Sequence, residues 1–517
     1  MAEQYTVYLK DEKYLCAENT LISEFLHQHD LMISLPCGGN GKCGKCKVFA
    51  EGELTPLSAA ERKLLSEEEL AAGMRLACET RIKGECRIAI TSESAANVAV
   101  DGLGEKAIEF PRYKEYGIAI DIGTTTIAMK LFDRNGLIGS ETGLNPQERF
   151  GADVITRISK SLEGAAAEIK SCTVAGLGRM IESLCTRNGV APSAVDHLVI
   201  TGNTAMLYLL TASDPDALSH LPFEADHLFG EYIRAGELNL PLPEDTPVYL
   251  TRCLAAFVGG DISSAIYSSG LVDQPDTAVL VDVGTNGEMA LWHDHRLICC
   301  STAAGPAFEG AEIAMGMHGA PGAIDKLWVE DDDIAFSVIG NISPVGICGS
   351  GIVDAISVML KLGYIDENGA LEKDTLAEAG RLLTVNDKPA CRICDSVYVT
   401  QRDVRMVQLA KSAICSGIET MLLKAGVSAN DVSRLYLAGG FGNYLDLNNA
   451  AYIGLIPPVL AAKTVVIGNA ALQGAVYTLV DSRCSEKELL ENIDLKVLDL
   501  GADPDFMDSY VDNMCFE

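Results

Sequence analysis

The chain has 517 residues, of which 48% are hydrophobic and 22% are charged, so two or three ordinary globular domains are expected. The formal net charge of −32 argues against nucleic acid and against an anionic membrane surface, because both bind clustered Lys and Arg. The charge favours solubility or steering towards a positively charged partner, and composition leaves these two roles open.

The N-terminal residues and the cysteine content indicate a cytoplasmic protein. The first residues lack the basic start and apolar core of a signal peptide, and no apolar run is long enough to span a membrane. The 17 cysteines are an odd number in a large chain. They favour thiols, a metal or a cluster over a disulfide framework.

The first 90 residues read as a small α+β domain. Apolar runs at 5–9, 46–50 and 86–90 predict strands, and a helix is expected at 20–29. Ser66 and Glu69 have the spacing of a capping box, which predicts a second helix. Residues 91–115 carry Ser, Gly and Pro without periodicity and are predicted to be a linker.

A cysteine-rich loop lies inside this first domain. Cys37, Cys43 and Cys46 follow the spacing C-x5-C-x2-C, and Cys78 comes later. Four thiolates suit a [2Fe–2S] cluster, and the glycines between them let backbone N–H groups point at cluster sulfides. Zinc is the alternative, although structural zinc usually pairs two short Cys-x-x-Cys knuckles.

These 90 residues resemble the [2Fe–2S] ferredoxin-like domains with a β-grasp fold. The resemblance implies that Cys37, Cys43, Cys46 and Cys78 are the iron ligands. The first gap is of the adrenodoxin type and differs from the plant type. Cys16 and Cys86 have no place in the pattern and are interpreted as ordinary apolar residues.

From residue 116 the sequence changes to an α/β pattern that contains an internal repeat. Residues 118–133 (IAIDIGTTTIAMKLFD) align with residues 279–294 (VLVDVGTNGEMALWHD). Each segment reads as a strand, a turn with Asp, Gly and Thr, and a second strand. The repeat predicts a duplicated subdomain, with one copy in 116–270 and the other in 271–517.

Glycine-rich turns in both copies predict a phosphate-binding cleft. A strand brings each Asp to its end, Gly permits the tight turn, and the Thr hydroxyls and backbone amides reach phosphate oxygens. One such turn alone is also compatible with a plain hairpin. Two facing turns would clamp a triphosphate while the two Asp hold Mg²⁺ through water. The candidate residues are Asp121, Gly123, Thr124, Thr125 and Thr126, then Asp282, Gly284, Thr285 and Asn286, and finally Gly439 and Gly440 beside adenine.

These motifs resemble the phosphate 1, phosphate 2 and adenosine motifs of the sugar kinase/Hsp70/actin superfamily. The resemblance implies a two-lobed α/β, actin-like (ribonuclease H-like) ATPase with ATP and Mg²⁺. Asp261 and Asp282 are its candidate catalytic residues. For Asp261, activation of water and a helix N-cap both remain open.

The whole chain resembles the reductive activators of corrinoid proteins, through the cysteine loop and the motifs VITGNTAM, AAGPAFEGAEI, GICGSGIVDAI and LYLAGGFGNYLD. The resemblance implies ATP-dependent one-electron reduction of Co(II) to Co(I) for a methyltransferase system. The implied partners are a corrinoid protein, a low-potential donor such as ferredoxin or flavodoxin, and a second copy of the chain. The sequence has no Asp-x-His-x-x-Gly cobalamin signature, which fits a corrinoid that belongs to the partner.

Three other functions remain open. One is an ATP-dependent activator of a 2-hydroxyacyl-CoA dehydratase or benzoyl-CoA reductase. A second is a small-molecule kinase with an accessory redox domain, and a third is an actin-like assembly protein. Cys391 and Cys394 form a lone Cys-x-x-Cys, which is interpreted as two thiols or a redox pair.

Overall fold

The structure is a computed structural model that describes residues 4–9, 12–28, 33, 39, 41, 44, 46–90, 108–440 and 445–516. Cys37 and Cys43, two of the predicted iron ligands, lie outside the described residues, as do residues 91–107 of the predicted linker. Among the helices of the described ranges, none is long and apolar enough to cross a membrane.

The first domain is a five-stranded sheet in the order β2-β1-β5-β3-β4 with one helix packed on it. Strand β1 is antiparallel to β2 and parallel to β5, which is the arrangement of the predicted β-grasp fold. The capping box of Ser66 and Glu69 is confirmed at the start of α3. The elements are β1 (Gln4–Leu9), β2 (Glu12–Ala17), α1 (Ile22–Gln28), β3 (Lys47–Leu54), α2 (Ala59–Leu64), α3 (Glu67–Ala71), β4 (Met74–Leu76) and β5 (Ile82–Ile90).

The first ATPase lobe is built on a six-stranded sheet in the order β10-β11-β9-β6-β7-β8. Its elements are β6 (Tyr116–Ile122), β7 (Thr126–Asp133), β8 (Gly136–Leu144), α4 (Val154–Lys160), α5 (Ala166–Arg187), β9 (Val195–Gly202), α6 (Thr204–Thr211), β10 (Glu231–Arg234), α7 (Ala235–Leu238), β11 (Pro247–Leu250) and α8 (Gly260–Ser269).

The second lobe has a six-stranded sheet in the order β22-β21-β12-β13-β14-β23 and two small three-stranded sheets. Its elements are β12 (Ala278–Val283), β13 (Gly287–His293), β14 (Arg296–Thr302), β15 (Ala323–Glu330), β16 (Asp333–Val338), β17 (Gly346–Ile347), α9 (Gly349–Lys361), α10 (Lys373–Glu378), β18 (Leu382–Val385), β19 (Lys388–Arg392), β20 (Tyr398–Thr400), α11 (Gln401–Ala425), β21 (Arg434–Ala438), α12 (Leu447–Tyr452), β22 (Thr464–Gly468), α13 (Ala470–Val480), α14 (Glu486–Leu490), β23 (Asp494–Leu498) and α15 (Pro504–Asp512).

The two large sheets share the arrangement of five strands, β11-β9-β6-β7-β8 and β22-β21-β12-β13-β14, and differ in where the sixth strand is added, so the fold contains the repeat predicted from sequence. In each lobe three antiparallel strands, β6-β7-β8 or β12-β13-β14, follow one another directly. A later strand, β9 or β21, then lies parallel to the first strand. The turns that follow β6 and β12 therefore occupy equivalent positions in the two lobes.

Two helices cross between the lobes. Helix α13 comes late in the chain, yet its Leu472 and Leu479 pack with Ala119 of the first sheet. Helix α8 precedes the second lobe and packs Ile262 into the core of the second sheet. The helices pass so closely at Gly474 that an added Cβ would lie 2.1 Å from the carbonyl oxygen of Ser264. The packed pair α8 and α13 therefore joins the two lobes.

The described end of the predicted linker, residues 108–115, is fixed to the C-terminal end of α13. Arg112 donates from its backbone N to Leu479 O at 2.9 Å and from Nε to Thr478 O at 2.6 Å. Tyr113 is fully buried and donates to Asp133 O at 2.6 Å. These residues pack as part of the first lobe.

Candidate nucleotide cleft and cluster site

A cavity of about 650 Å³ lies between the two lobes, a size that accommodates a nucleotide. Residues of both hairpin turns and of the glycine pair after β21 line it. The structure therefore brings together every residue predicted for the ATP site: Asp121, Gly123, Thr124, Thr125, Thr126, Asp261, Asp282, Gly284, Thr285, Asn286, Gly439 and Gly440.

The two phosphate-loop candidates are held in place by matching backbone hydrogen bonds. In the first lobe, Asn145 N donates to Thr125 O at 2.8 Å. In the second lobe, Gly305 N donates to Thr285 O at 2.8 Å. Each bond fixes the tip of a turn to the segment that follows the third strand, so the hydroxyls of Thr125 and Thr285 have defined positions.

Close backbone approach explains the glycine that ends the parallel strand of each lobe. An added Cβ at Gly439 would lie 2.3 Å from Val283 O, and one at Gly202 would lie 2.7 Å from Ile122 O. Real Cβ atoms do not approach so closely, so a larger residue would push the strands apart. Packing therefore requires glycine at position 439, and a place for Gly439 and Gly440 beside adenine stays a prediction.

Four carboxyl groups, those of Asp121, Asp261, Asp282 and Glu288, line the cleft together. The pKa is raised to about 7 for Asp121 and to about 8 for Asp282, with burial as the main cause and the Asp261 carboxylate as a further one. Burial also raises the pKa of Asp261 to about 6 and holds that of Glu288 well above its ordinary value. These groups become fully ionised at neutral pH only when a cation joins them.

A divalent cation fits this donor set. The described residues that line the cleft include no Lys or Arg, so a triphosphate would meet carboxylates without any cationic side chain. Oxygen ligands suit Mg²⁺, which keeps several waters and needs only one or two carboxylates. Within the described part of the chain, no three acidic or thiol side chains are spaced for direct metal ligation. The lining of the cleft is therefore compatible with Mg²⁺, and water-mediated binding by Asp121 and Asp282 stays a prediction.

Asp261 does not cap its helix. Gly259 is the N-cap of α8, and Asp261 lies in the first turn, where its carboxylate accepts from Ile262 N at 2.8 Å. The side chain lines the cleft together with Asp121 and Asp282. Of the two roles left open by the sequence, the structure excludes the N-cap.

Two asparagines of the cleft were missed in the sequence. Asn469 donates from Nδ2 to Asp121 Oδ2 at 2.8 Å, and Asn203 donates from Nδ2 to Thr124 Oγ1 at 3.1 Å. Each is also the N-cap of a helix, α13 or α6, and directly follows the glycine that ends a strand. The repeated Ile-Thr-Gly-Asn and Val-Ile-Gly-Asn segments carry this signal in the sequence.

Glu309 connects the two phosphate-loop candidates, and it too was missed. Its Oε2 accepts from Thr125 Oγ1 at 2.7 Å. Its two carboxylate oxygens lie 3.1 and 3.2 Å from Thr285 Oγ1, which donates to them. One carboxylate thus joins hydroxyls from the turns of both lobes.

The described part of the cysteine loop places two thiols together in a buried position. Cys46 and Cys78 are 2% and 7% exposed, and their Sγ atoms are 3.2 Å apart. An added Cβ on Gly39 would lie 3.8 Å from Cys78 Cβ, so Gly39 lies beside Cys78. Two buried thiolates this close repel each other unless metal ions neutralise them, and the donor set therefore fits iron.

Glu61 holds the turn that carries Cys78. Its buried carboxylate accepts from Arg75 Nε at 2.8 Å, Leu76 N at 3.1 Å and Thr80 Oγ1 at 2.8 Å. Burial alone would raise the pKa of Glu61, but the hydrogen bonds from Arg75 and its other donors hold it below the ordinary value. The network surrounds Cys78 in sequence and fixes the position of its Sγ.

The remaining cysteines singled out above show no reactive environment. Cys16 and Cys86 are buried in the core of the first domain, and burial raises the pKa of Cys86 to about 12. Cys391 and Cys394 are free thiols, and burial raises the pKa of Cys391 to about 12. A thiol with such a pKa is a poor nucleophile, so Cys391 is interpreted as a packing residue.

Three family models match the chain in succession. Residues 7–83 match the 2Fe-2S iron-sulfur cluster binding domain, residues 116–274 the RACo middle region, and residues 276–517 the C-terminal domain of RACo, described as the ASKHA domain. The first match supports [2Fe–2S] over zinc for the cysteine site. The third supports a nucleotide site that binds ATP with Mg²⁺.

Two relatives and one solved structure cover the same architecture. The corrinoid activation enzyme RamQ of Eubacterium limosum is 29% identical over 98% of each chain. The [Co(II) methylated amine-specific corrinoid protein] reductase of Methanosarcina barkeri is 25% identical over 69% of this chain and 68% of its own. A solved reductive activator for corrinoid, iron-sulfur protein superposes with a TM-score of 0.72 at 26% identity, covering 99% of this chain and 98% of its own. The chain belongs to the family of ATP-dependent, iron–sulfur reductive activators of corrinoid proteins.

Proposed function

We propose that this protein uses ATP to drive the one-electron reduction of a Co(II) corrinoid to Co(I) in a partner protein that serves a methyltransferase system. The observation that carries the proposal is the presence, in one chain, of a buried thiol site and a carboxylate-lined cleft between two lobes. A plain electron carrier has no use for the cleft, and a kinase has no use for the thiols.

Residue roles in the cleft follow from their positions. Asp121 and Asp282 would hold Mg²⁺ through water, and the turns with Thr124–Thr126 and Thr285–Asn286 would bind phosphate oxygens. Gly439 and Gly440 let the adenine approach the backbone. Asp261 lies beside both Mg²⁺ carboxylates and orients water for hydrolysis.

The thiol site supplies the redox function. Cys37, Cys43, Cys46 and Cys78 would hold a [2Fe–2S] cluster, which provides one-electron transfer. The hydrogen-bonded pair of Glu61 and Arg75 holds the turn that carries Cys78. The electron comes from an external low-potential donor such as a ferredoxin or flavodoxin and ends on Co(II), so each event consumes one electron and produces one Co(I).

We propose that the nucleotide influences the electron transfer by changing the arrangement of the two lobes. Closure on Mg-ATP draws together the turns of the two lobes, and any partner that contacts both lobes is affected. Such a change shifts the reaction only as far as the partner binds the two arrangements with different affinity. We further propose a homodimer located in the cytoplasm, where thiols such as those of Cys391 and Cys394 stay reduced.

The experiment is an anaerobic pull-down from native extract with the tagged protein, followed by cobalt analysis of the captured protein. We expect a cobalt-containing partner whose Co(II) is reduced by the reconstituted system. Capture of an acyl-CoA dehydratase or reductase without cobalt would replace the proposal with the dehydratase-activator alternative. Phosphorylation of a small metabolite, with no cobalt partner, would favour the kinase.

A further inference from the structure

Glu309 lies in the cleft between the two turns that are proposed to bind phosphate. The hydroxyls of Thr125 and Thr285 donate to its carboxylate at 2.7, 3.1 and 3.2 Å. These are the same hydroxyls that the two phosphate loops offer to phosphate oxygens. A carboxylate and a phosphoryl group are both anions, so they compete for these donors and repel each other.

A second buried group lies on the far side of Thr125. Arg157 is fully buried, with Nε donating to Gly151 O at 2.8 Å and Nη1 to Met206 Sδ at 3.6 Å. Its Nη2 has no hydrogen-bond partner among the residues that the structure describes. A buried donor without a partner is costly and is the exception in folded proteins.

A small cavity lies beside Arg157 and shares Thr125 with the lining of the cleft. Arg157 and Thr125 both line a space of about 50 Å³. Thr125 also lines the nucleotide cleft, so its side chain belongs to the wall between the two spaces. Burial lowers the pKa of Arg157 to about 10, and nearby negative charges, Glu148 first and Glu309 among them, oppose this shift. Glu309 is hydrogen-bonded to Thr125, and Thr125 lines the same small cavity as Arg157, whose Nη2 is an unused donor.

We propose that Glu309 is the residue through which the cleft distinguishes ATP from ADP, because its carboxylate leaves Thr125 and Thr285 for Nη2 of Arg157 when the terminal phosphoryl group takes the two hydroxyls. This inference deepens the proposed nucleotide site and rests on it. No covalent step is involved, since two hydrogen bonds to Glu309 are exchanged for an ion pair.

The exchange of hydrogen-bond partners by Glu309 would affect residues beyond the cleft, because Glu309 lies in the segment 305–314, which is hydrogen-bonded to other elements at both ends. Gly305 N is bonded to Thr285 O, and Ala314 N donates to Asp403 Oδ1 at 2.8 Å in the first turn of α11. An added Cβ on Gly310 would lie 2.5 Å from Met317 O, so the segment is folded tightly on itself. Movement of Glu309 thus pulls on residues between two fixed points.

The test compares Mg-bound non-hydrolysable ATP analogue with Mg-ADP, by calorimetry on the full-length protein with its cluster. In Glu309→Gln the repulsion is removed, and we expect the affinity for the analogue to rise roughly tenfold while that for ADP stays within about twofold. In Arg157→Met the carboxylate has no new partner, and the affinity for the analogue should fall roughly tenfold. Exposed Glu330→Gln is the matched control and should behave as wild type.

A double-mutant cycle separates the exchange from a packing effect. In the Glu309→Gln background, Arg157→Met should no longer change the preference for the analogue over ADP. Arg157→Lys, which keeps the charge, covers the case in which the Met variant fails to fold, and it should retain the wild-type preference. Equal changes for both nucleotides in Glu309→Gln, or an undiminished Arg157 effect in that background, would overturn the inference. Wild-type protein that binds neither nucleotide would instead overturn the cleft assignment itself.

Discussion

Asn469 donates a hydrogen bond from Nδ2 to Asp121 Oδ2 at 2.8 Å, although 348 positions separate the two residues in the chain. Asn469 also accepts from Leu472 N at 2.8 Å and so begins α13, the helix that packs beneath the first lobe. A late residue of the second half therefore fixes the first carboxylate of the nucleotide site. The cleft exists only when both halves of the chain are folded together.

Replacing Asn469 with Ala should weaken Mg-ATP binding. Its hydrogen bond lowers the pKa of Asp121, which burial raises to about 7, so its loss leaves Asp121 more protonated at neutral pH. We expect a loss of affinity of about tenfold and a loss of about 1 kcal/mol in the free energy of unfolding from the missing cap. Calorimetry and urea denaturation measure the two effects.

Asn188→Ala is the control for this variant, because Asn188 also donates one hydrogen bond, to Leu184 O at 2.7 Å, away from the cleft. It should lose stability without any change in nucleotide affinity. If Asn469→Ala bound Mg-ATP as tightly as this control, Asp121 would have no part in holding the cation.

Asp282→Ala should abolish the ATP-dependent activity while leaving the visible spectrum of the iron–sulfur centre unchanged. Burial raises the pKa of Asp282 to about 8, and removing its side chain takes away one of the two carboxylates assigned to Mg²⁺. We expect ATP turnover to fall by about a hundredfold or more. Exposed Asp294→Ala, at the other end of the same hairpin, should turn over ATP normally, and equal rates in the two variants would contradict the assignment of Asp282.

Cys78→Ala should remove the iron centre. The wild-type protein is expected to contain two iron atoms and two sulfides per chain, in keeping with a [2Fe–2S] cluster, and the variant close to none. Cys86→Ala serves as the control, since Cys86 is another buried cysteine of the same domain core. Iron and sulfide analysis decides the matter, and stoichiometric zinc without sulfide in the wild type would show a zinc site instead.

The stability of the first domain should fall in acid because of Glu61. A carboxyl group whose pKa is lower in the folded state than in the unfolded state stabilises the protein at pH values above its unfolded-state pKa. This stabilisation is lost as the pH falls through its folded-state pKa. For Glu61 the pKa in the unfolded state is about 4.5, so the stabilisation is complete above that pH and is lost as the pH falls below it.

Comparison with Glu61→Gln measures this contribution. The variant leaves Arg75 without its buried partner, and we expect a loss of about 3–5 kcal/mol at pH 7 that shrinks towards pH 3. Urea denaturation of wild type and variant across this range, followed at the visible absorption of the centre, gives the difference. A difference that stayed constant with pH would exclude ionised Glu61 as the source.

The sequence predicted those parts of the sites in which chemistry is local. The cysteine spacing and the two Asp-x-Gly-Thr turns each lie within one loop, so the residue types alone indicate thiolate ligation or phosphate binding. The turns are equivalent in the fold because each follows the first strand of a repeated sheet. For the two turns, the local sequence pattern and the position in the fold therefore agree.

Residues that act across the cleft could not be predicted in the same way. Glu309 meets Thr125 over 184 positions, and Asn469 meets Asp121 only because α13 packs under the opposite lobe. The crossing of α8 and α13 depends on backbone contact at Gly474, which has no local signature. Asp261 resembled a cap because it is an acidic residue at a helix start, yet Gly259 takes that position.

The most direct test of the account is the Co(II) electron paramagnetic resonance signal of the corrinoid partner. The partner is mixed anaerobically with the chemically reduced protein, with and without Mg-ATP. The account predicts that the Co(II) signal disappears, with the appearance of the Co(I) visible spectrum, when Mg-ATP is present and persists when ATP is omitted or Asp282→Ala replaces the wild type. Equal loss of the signal with and without Mg-ATP, or its persistence under all conditions, would contradict ATP-dependent reductive activation.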